Sequence, residues 1–240
     1  MQYKLLSLLT FLFFSFWLLG QNEPMHNFNL QTSFLIEIPG ADLADRYGAN
    51  NKFEFKLEYA SPSLLAYYIK AGLRINQNVR EDVLASLRTS DGFLIGVNGF
   101  YADVFGRQRG YDIGIGIDKL ISIKKQYLRI GLGTSYITHF VKLVDDSQSI
   151  PQIIGDSGHY FDRFTSGFGL EENIQYQYNY NNNRAGFIFG FQFGQFFTKE
   201  HRYKLLPTGT PERRIDLFFG IKATYLMPIY TFEKGQTIYY

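Results

Sequence analysis

Residues 186–197 read GFIFGFQFGQFF, and this stretch decides the fold. Phe187, Phe189, Phe191 and Phe193 take every second place, with Gly190, Gln192 and Gly194 between them. On a helix these four rings would scatter around the axis, whereas an extended strand puts all four on one face. The same period of two recurs along the chain. In 52–59, Phe53, Phe55, Leu57 and Tyr59 alternate with Lys52, Glu54, Lys56 and Glu58. In 111–118, Tyr111, Ile113, Ile115 and Ile117 alternate with Asp112, Gly114, Gly116 and Asp118. In 127–140, Leu128, Ile130, Leu132, Tyr136 and Phe140 oppose Arg129, Gly131, Gly133, Ser135 and His139. In 215–229, Ile215, Leu217, Phe219, Ile221 and Tyr225 oppose Asp216, Gly220, Lys222 and Thr224. Residues 28–38, 65–75 and 168–178 repeat the pattern more weakly, and in the last of them Glu172 falls on the apolar face, at a bulge or near a membrane interface.

The pattern predicts eight strands of roughly 9–15 residues. Short links fall near 61–63, 122–125 and 181–183, and long ones near 39–51, 77–109, 142–163 and 200–213. Strict alternation of long and short links belongs to an all-β, eight-stranded, antiparallel up-and-down transmembrane β-barrel with long outer loops and short periplasmic turns. A secreted soluble β-sandwich is the alternative. Its solvent face would be densely polar, but here one face is uniformly large and aromatic while the other mixes Gly with charge.

The charged face predicts a lumen in which acids and bases interleave. Glu37, Glu54, Glu58, Asp112, Asp118, Glu171 and Asp216 stand against Lys56, Lys70, Arg74, Arg129, Arg214 and Lys222. Charges in so confined a space must be paired or hydrated. A salt-bridged plug is favoured over a conducting path.

Residues 1–20 read MQYKLLSLLTFLFFSFWLLG, a single cation at Lys4 followed by an apolar run. At about 15 residues that run is short for a spanning helix, which needs roughly 20. The expected organisation is a cleaved signal peptide at 1–20, a short periplasmic segment at 21–27, the barrel at 28–232 and a periplasmic tail at 233–240. The expected location is the cell outer membrane.

Composition removes several function classes. The chain has 240 residues and no Cys, which excludes disulfide scaffolds, Cys-ligated metals and a Cys nucleophile. A net charge of +2 gives no reason to expect nucleic acid. No P-loop, G-x-S-x-G, H-E-x-x-H or dinucleotide fingerprint occurs. Ser135 and His139 share a strand face, but i and i+4 on a strand lie about 13 Å apart, so His139 reads better as a rim residue than as a general base. Asp156, His159 and Asp162, with Asp145 and Asp146 nearby, carry metal-ligand chemistry in a loop where such residues are common. The expectation is no catalytic residue, no cofactor and no metal.

The second long link is more informative. "VREDVLASL" places Val79, Val83, Leu84 and Leu87 near helical spacing and predicts a short amphipathic helix. "GFLIGVNGFYADVFG" then exposes Phe93, Leu94, Ile95, Phe100, Tyr101 and Phe105. So apolar a loop either folds over the barrel mouth or meets another protein.

The strings IEIPGADLADRYG (36–48), VREDVLASLRTSDGFLIG (79–96) and RRIDLFFGIK (213–222) resemble the small eight-stranded outer-membrane barrels of Bacteroidota-type bacteria. Some barrels of this group look like accessory subunits of outer-membrane machines, including the one that assembles barrels. The resemblance implies the same fold and such a role, with the bilayer and other outer-membrane proteins as partners. The favoured function is a non-enzymatic scaffold or accessory subunit. A lipid- or peptide-processing enzyme and a narrow-pore transporter are the alternatives.

Overall fold

The computed structural model of the protein describes residues 26–124, 126–180, 185–202 and 213–232. The predicted signal peptide at 1–20, residues 21–25, the link at 181–183, residues 203–212 of the last long link and the tail at 233–240 lie outside the described residues.

Eight strands form: β1 (His26–Ala41), β2 (Asn50–Ala60), β3 (Leu65–Asn76), β4 (Phe105–Ile123), β5 (Gln126–Val144), β6 (Thr165–Asn179), β7 (Gly186–Glu200) and β8 (Arg213–Phe232). Each pairs antiparallel with the next, and β8 pairs with β1 to close the ring. Stepping between paired residues from Ala60 leads through Ala66, Asp118, Gly131, Asn173, Gln192, Gly220 and Glu37 to Asn50, ten residues from the start. That stagger tilts the strands, and eight strands enclose an interior that side chains can fill.

Several strands outrun their predicted ends. β4 begins at Phe105 and β5 continues to Val144. The reason is chemical. Beyond Tyr111 and Phe140 the outward positions become Arg109, Arg107 and Lys142, so the apolar–polar contrast fades while the hydrogen-bonded ladder continues. The predicted helix over 79–87 is not formed. One 3₁₀ turn at Ala85–Leu87 takes its place, entered where the Asp82 carboxylate accepts the Leu84 N–H at 3.2 Å. A five-residue helix, α1 (Asp42–Arg46), fills the first long link.

The polarity of the barrel is inverted. Lys52, Glu54, Asp118 and Asp216 are wholly buried inside, while Phe191 is 67% exposed and Ile113 and Ile221 each 65% exposed on the outer wall. A soluble barrel would bury the second group and expose the first. Outward Tyr59, Tyr67, Tyr176 and Tyr225 ring the end with the short links, and outward Tyr111, Tyr136 and Phe168 ring the other, with Ile, Leu and Phe between. This is the aromatic girdle of a membrane-spanning barrel.

Candidate functional site

The inward faces build two ionic clusters, and the larger is centred on one carboxylate. Glu54 is its hub, 3.0 Å from both Lys52 and Lys70 and bonded to Lys222. Lys52 also reaches Asp112 at 3.1 Å, and Lys70 bonds Glu171. Arg74 joins Glu37 to Asp112, each at 2.7 Å. Toward the end with the short links Arg129 bonds Glu58, Asp118 at 2.9 Å and Gln177 at 2.8 Å. Gln31 and Asn29 complete the Glu58 carboxylate at 2.6 and 3.1 Å. Lys56 lies 3.5 Å from Asp118 and caps the ring of Tyr68 at 3.8 Å. Glycine makes room for this packing: a Cβ at Gly116 would collide with the Tyr68 hydroxyl, and one at Gly133 would lie 2.7 Å from it.

Eleven of the thirteen predicted lumen residues fall in these two clusters, and Asp216 stands apart from them. Lys52, absent from the predicted cations, is central. Arg214 is half-buried at the mouth, where its guanidinium bonds the Asp42 carbonyl on α1. Asp216 meets His139 at 2.9 Å and the Thr198 hydroxyl at 2.6 Å. His139 is therefore a buried lumen residue and not the rim residue expected. Ser135 bonds Glu171 at 2.8 Å instead, so no Ser–His pair forms there.

Above the charges the lumen turns apolar. Leu43 and Tyr47 from the first loop pack with inward-facing Ile137, Val141, Phe196 and Phe218. A clamp of charge locks this cap. Arg46 bonds Glu81 at 2.6 Å, Glu200 at 3.2 Å and the Thr165 hydroxyl at 3.0 Å, and Arg163 reaches Glu81 at 2.9 Å. Burial opposes the Arg46 charge, but the Tyr47 oxygen and the Glu81 and Glu200 carboxylates more than offset it, holding its pKa above the usual value. Burial also pushes the Tyr47 phenol up. Neither the apolar cap nor the clamp was read from the sequence. Ile137 and Val141 do lie on the inward parity of β5, which is the signal available for them.

The second loop divides its predicted surface residues. Leu94 is not exposed: it packs with Leu84, Ile150, Ile153 and Phe161 and fastens this loop to the third. Phe105 is not a loop residue but the first of β4, with the Arg107 guanidinium 5.1 Å over its ring. The remaining four stand on a small hairpin in which Ile95 bridges Tyr101 and Gly96 donates to the Phe100 carbonyl at 2.8 Å. Gly99 turns the hairpin at φ 77°, a conformation that favours glycine. Phe100 and Tyr101 are 73% and 74% exposed, Phe93 and Ile95 about half, and Val97 joins them.

In the third loop, His159 and Asp162 come within 3.3 Å of each other, and the Arg202 guanidinium bonds both. A cation of the chain thus lies between these two, and the side chain of Asp156, the third residue of the expected set, lies outside the described residues. Partial burial raises the Asp162 carboxyl above its usual pKa against the opposing pull of Arg202.

Glu172 points outward between Phe168 and Tyr176, paired with Leu132 on one side and Phe193 on the other. Both registers are unbroken, so no bulge explains it. Among the described residues it is the one ionisable side chain that the strands present between the two aromatic girdles.

A closed, staggered eight-strand ring with charge inside and apolar side chains outside defines a transmembrane β-barrel. No known protein-family description matches the chain. No curated protein matches it either. Among solved structures it is similar to Neisserial surface protein A, at 11% identity and a TM-score of 0.49, covering 82% of this chain and 96% of that one. It is also similar to the attachment invasion locus protein Ail of Yersinia pestis, at 12% identity and a TM-score of 0.42, covering 86% of this chain and all (100%) of that one. A third is a major outer membrane protein of Thermus thermophilus, at 12% identity and a TM-score of 0.40, covering 84% and 100%. Likeness at this level says nothing of ligand or activity.

Proposed function

We propose that the chain is an integral outer-membrane barrel that acts as a non-enzymatic scaffold or accessory subunit, docking another outer-membrane protein through the tip of its second loop. One observation carries the reading. The 93–101 hairpin projects Phe93, Ile95, Phe100 and Tyr101 into water while Leu94 anchors it from below. Large apolar side chains held out on an anchored support mark interaction sites, and binding energy concentrates in a few aromatic anchors. The dense ionic lumen and its apolar cap favour this role over transport. The predicted signal peptide would deliver the chain for export. The resemblance of 36–48, 79–96 and 213–222 to small Bacteroidota-type barrels supports an accessory place in a machine such as the one that assembles barrels.

The test is co-purification from mild detergent with the Phe100→Ser, Tyr101→Ser double variant. Release of a partner from a barrel that still migrates as folded on unboiled gels is the expected result. An unchanged complex removes the tip from the functional account. In planar bilayers the purified barrel should give no steady conductance; unitary currents abolished by substituting Arg129 or Glu171 would favour transport.

A further inference from the structure

The outer rim carries an arrangement that a barrel wall does not need for itself. Arg107 and Lys142 stand directly opposite each other on β4 and β5, both turned outward. Arg109 follows Arg107 on the same face, paired with Phe140. Among the described residues none of the three forms an ion pair, and the Arg107 Nε is buried with no hydrogen-bond partner. Like charges directly opposite in a sheet repel and lower stability unless an anion lies between them.

Their position says which anion. On both strands these cations are the outward residues just beyond the girdle rings Tyr111 and Phe140, where the bilayer gives way to headgroups. Beside them a hollow of about 520 Å³ opens between the wall and the third loop. Arg109, Lys142 and Arg202 line it together with Tyr111, Phe140 and Phe164. Among the described residues its one carboxylate, Asp162, is already held by Arg202. The hollow is thus apolar toward the membrane and cationic toward water.

We propose that this rim between β4 and β5 binds a phosphate group on a glycolipid headgroup of the outer leaflet, with the acyl chains running down the aromatic wall. The inference rests on the membrane-spanning reading of the barrel. A phosphate monoester carries nearly two negative charges and three acceptor oxygens, enough to engage Arg109 and Lys142 in the hollow, with Arg107 facing Lys142 at its edge. The guanidinium fork of Arg109 is anchored by donating to the Gln108 carbonyl at 2.7 Å, which leaves its remaining donors for the ligand.

A second like-charge pair, Lys199 opposite Arg213 on β7 and β8, supplies an internal control, because it shares the rim but lies outside the hollow. The experiment is native mass spectrometry of the full barrel in mild detergent, with diphosphorylated lipid A as probe and phosphatidylcholine as reference. Variants Arg109→Gln/Lys142→Gln and Lys199→Gln/Arg213→Gln are compared after unboiled gels show both folded. The first should weaken lipid A binding by about ten-fold or more, with salt doing the same to the parent, and leave phosphatidylcholine unaffected. The second should leave lipid A binding within about two-fold of the parent. Unchanged affinity in the first variant, or an equal loss in both, overturns the site in favour of no binding or diffuse rim charge. Displacement of the lipid by inorganic phosphate at equal concentration overturns the lipid assignment.

Discussion

Replacing Glu54 by Gln removes the hub of the lumen while keeping its shape. Glu54 is wholly buried and is the shared counter-ion of Lys52, Lys70 and Lys222. Lys52 and Lys70 retain Asp112 and Glu171, but Lys222 retains only the Gln192 amide oxygen at 3.4 Å. Removing one partner of a buried pair typically costs about 3–5 kcal/mol, because the other charge stays behind. The second variant, Glu54→Gln with Lys222→Met, removes that stranded charge and restores the balance. Replacing a buried pair by well-packed neutral groups is often neutral, so the double variant should regain most of the loss. The assay is urea unfolding of the barrel refolded into lipid vesicles, followed by far-UV circular dichroism and by unboiled gel mobility. With a slope of about 1–3 kcal/mol per molar urea, the single variant should lower the midpoint by at least about 1 M. A single variant within about 1 kcal/mol of the parent would mean that water solvates the lumen charges, and a double variant worse than the single would mean that the balance is not what holds the network. Either result refutes the plugged interior.

Three further outcomes follow from the same geometry. Phe191→Arg, on the lipid-facing wall between Ile174 and Ile221, should cost about 2–4 kcal/mol in vesicles by the same unfolding assay; a neutral effect would place that face in water. Glu172→Leu should raise stability by on the order of 1 kcal/mol in pure lipid, and a fall would show that the carboxylate is stabilised at the barrel's own surface rather than exposed to hydrocarbon. Leu94→Ala should cost about 2–5 kcal/mol in the outer loops, read as faster hydrogen exchange at 84–95 and 150–161 with the strands unchanged; uniform exchange would detach the second loop from the third.

The membrane-embedded part of the barrel was legible in the sequence because there the two faces differ most. Lys52 obeys this rule too: it opposes Phe53 in the alternation of β2, so its place in the network was readable. Legibility fails at the mouth for a physical reason. Above Tyr136 the contrast blurs, with Thr138 and Lys142 turned out on either side of Phe140, and Ile137 and Val141 turned in on either side of His139. A pattern that blurs within one strand averages to nothing, which hid the apolar cap and shortened the predicted β4 and β5. The clamp is beyond any local reading, since Arg46, Glu81 and Glu200 come from the first loop, the second loop and the end of β7. Spacing suggested a helix over 79–87, but Val83 and Leu84 turn toward the apolar clusters and the chain follows them.

The network has a bearing on how such a chain can enter a bilayer at all. Its bonds run between strands distant in sequence: Lys222 to Glu54 links β8 to β2, and Arg74 to Glu37 links β3 to β1. A half-formed sheet would present these charges bare to hydrocarbon, where each lone ion is far costlier than the finished pair. The pairs among β1 to β4 can form as those strands join, but Lys222 meets Glu54 only once the first and last strands close on each other. The last strand is thus the one whose buried charge is left bare longest, and closure of the ring is the step that neutralises it.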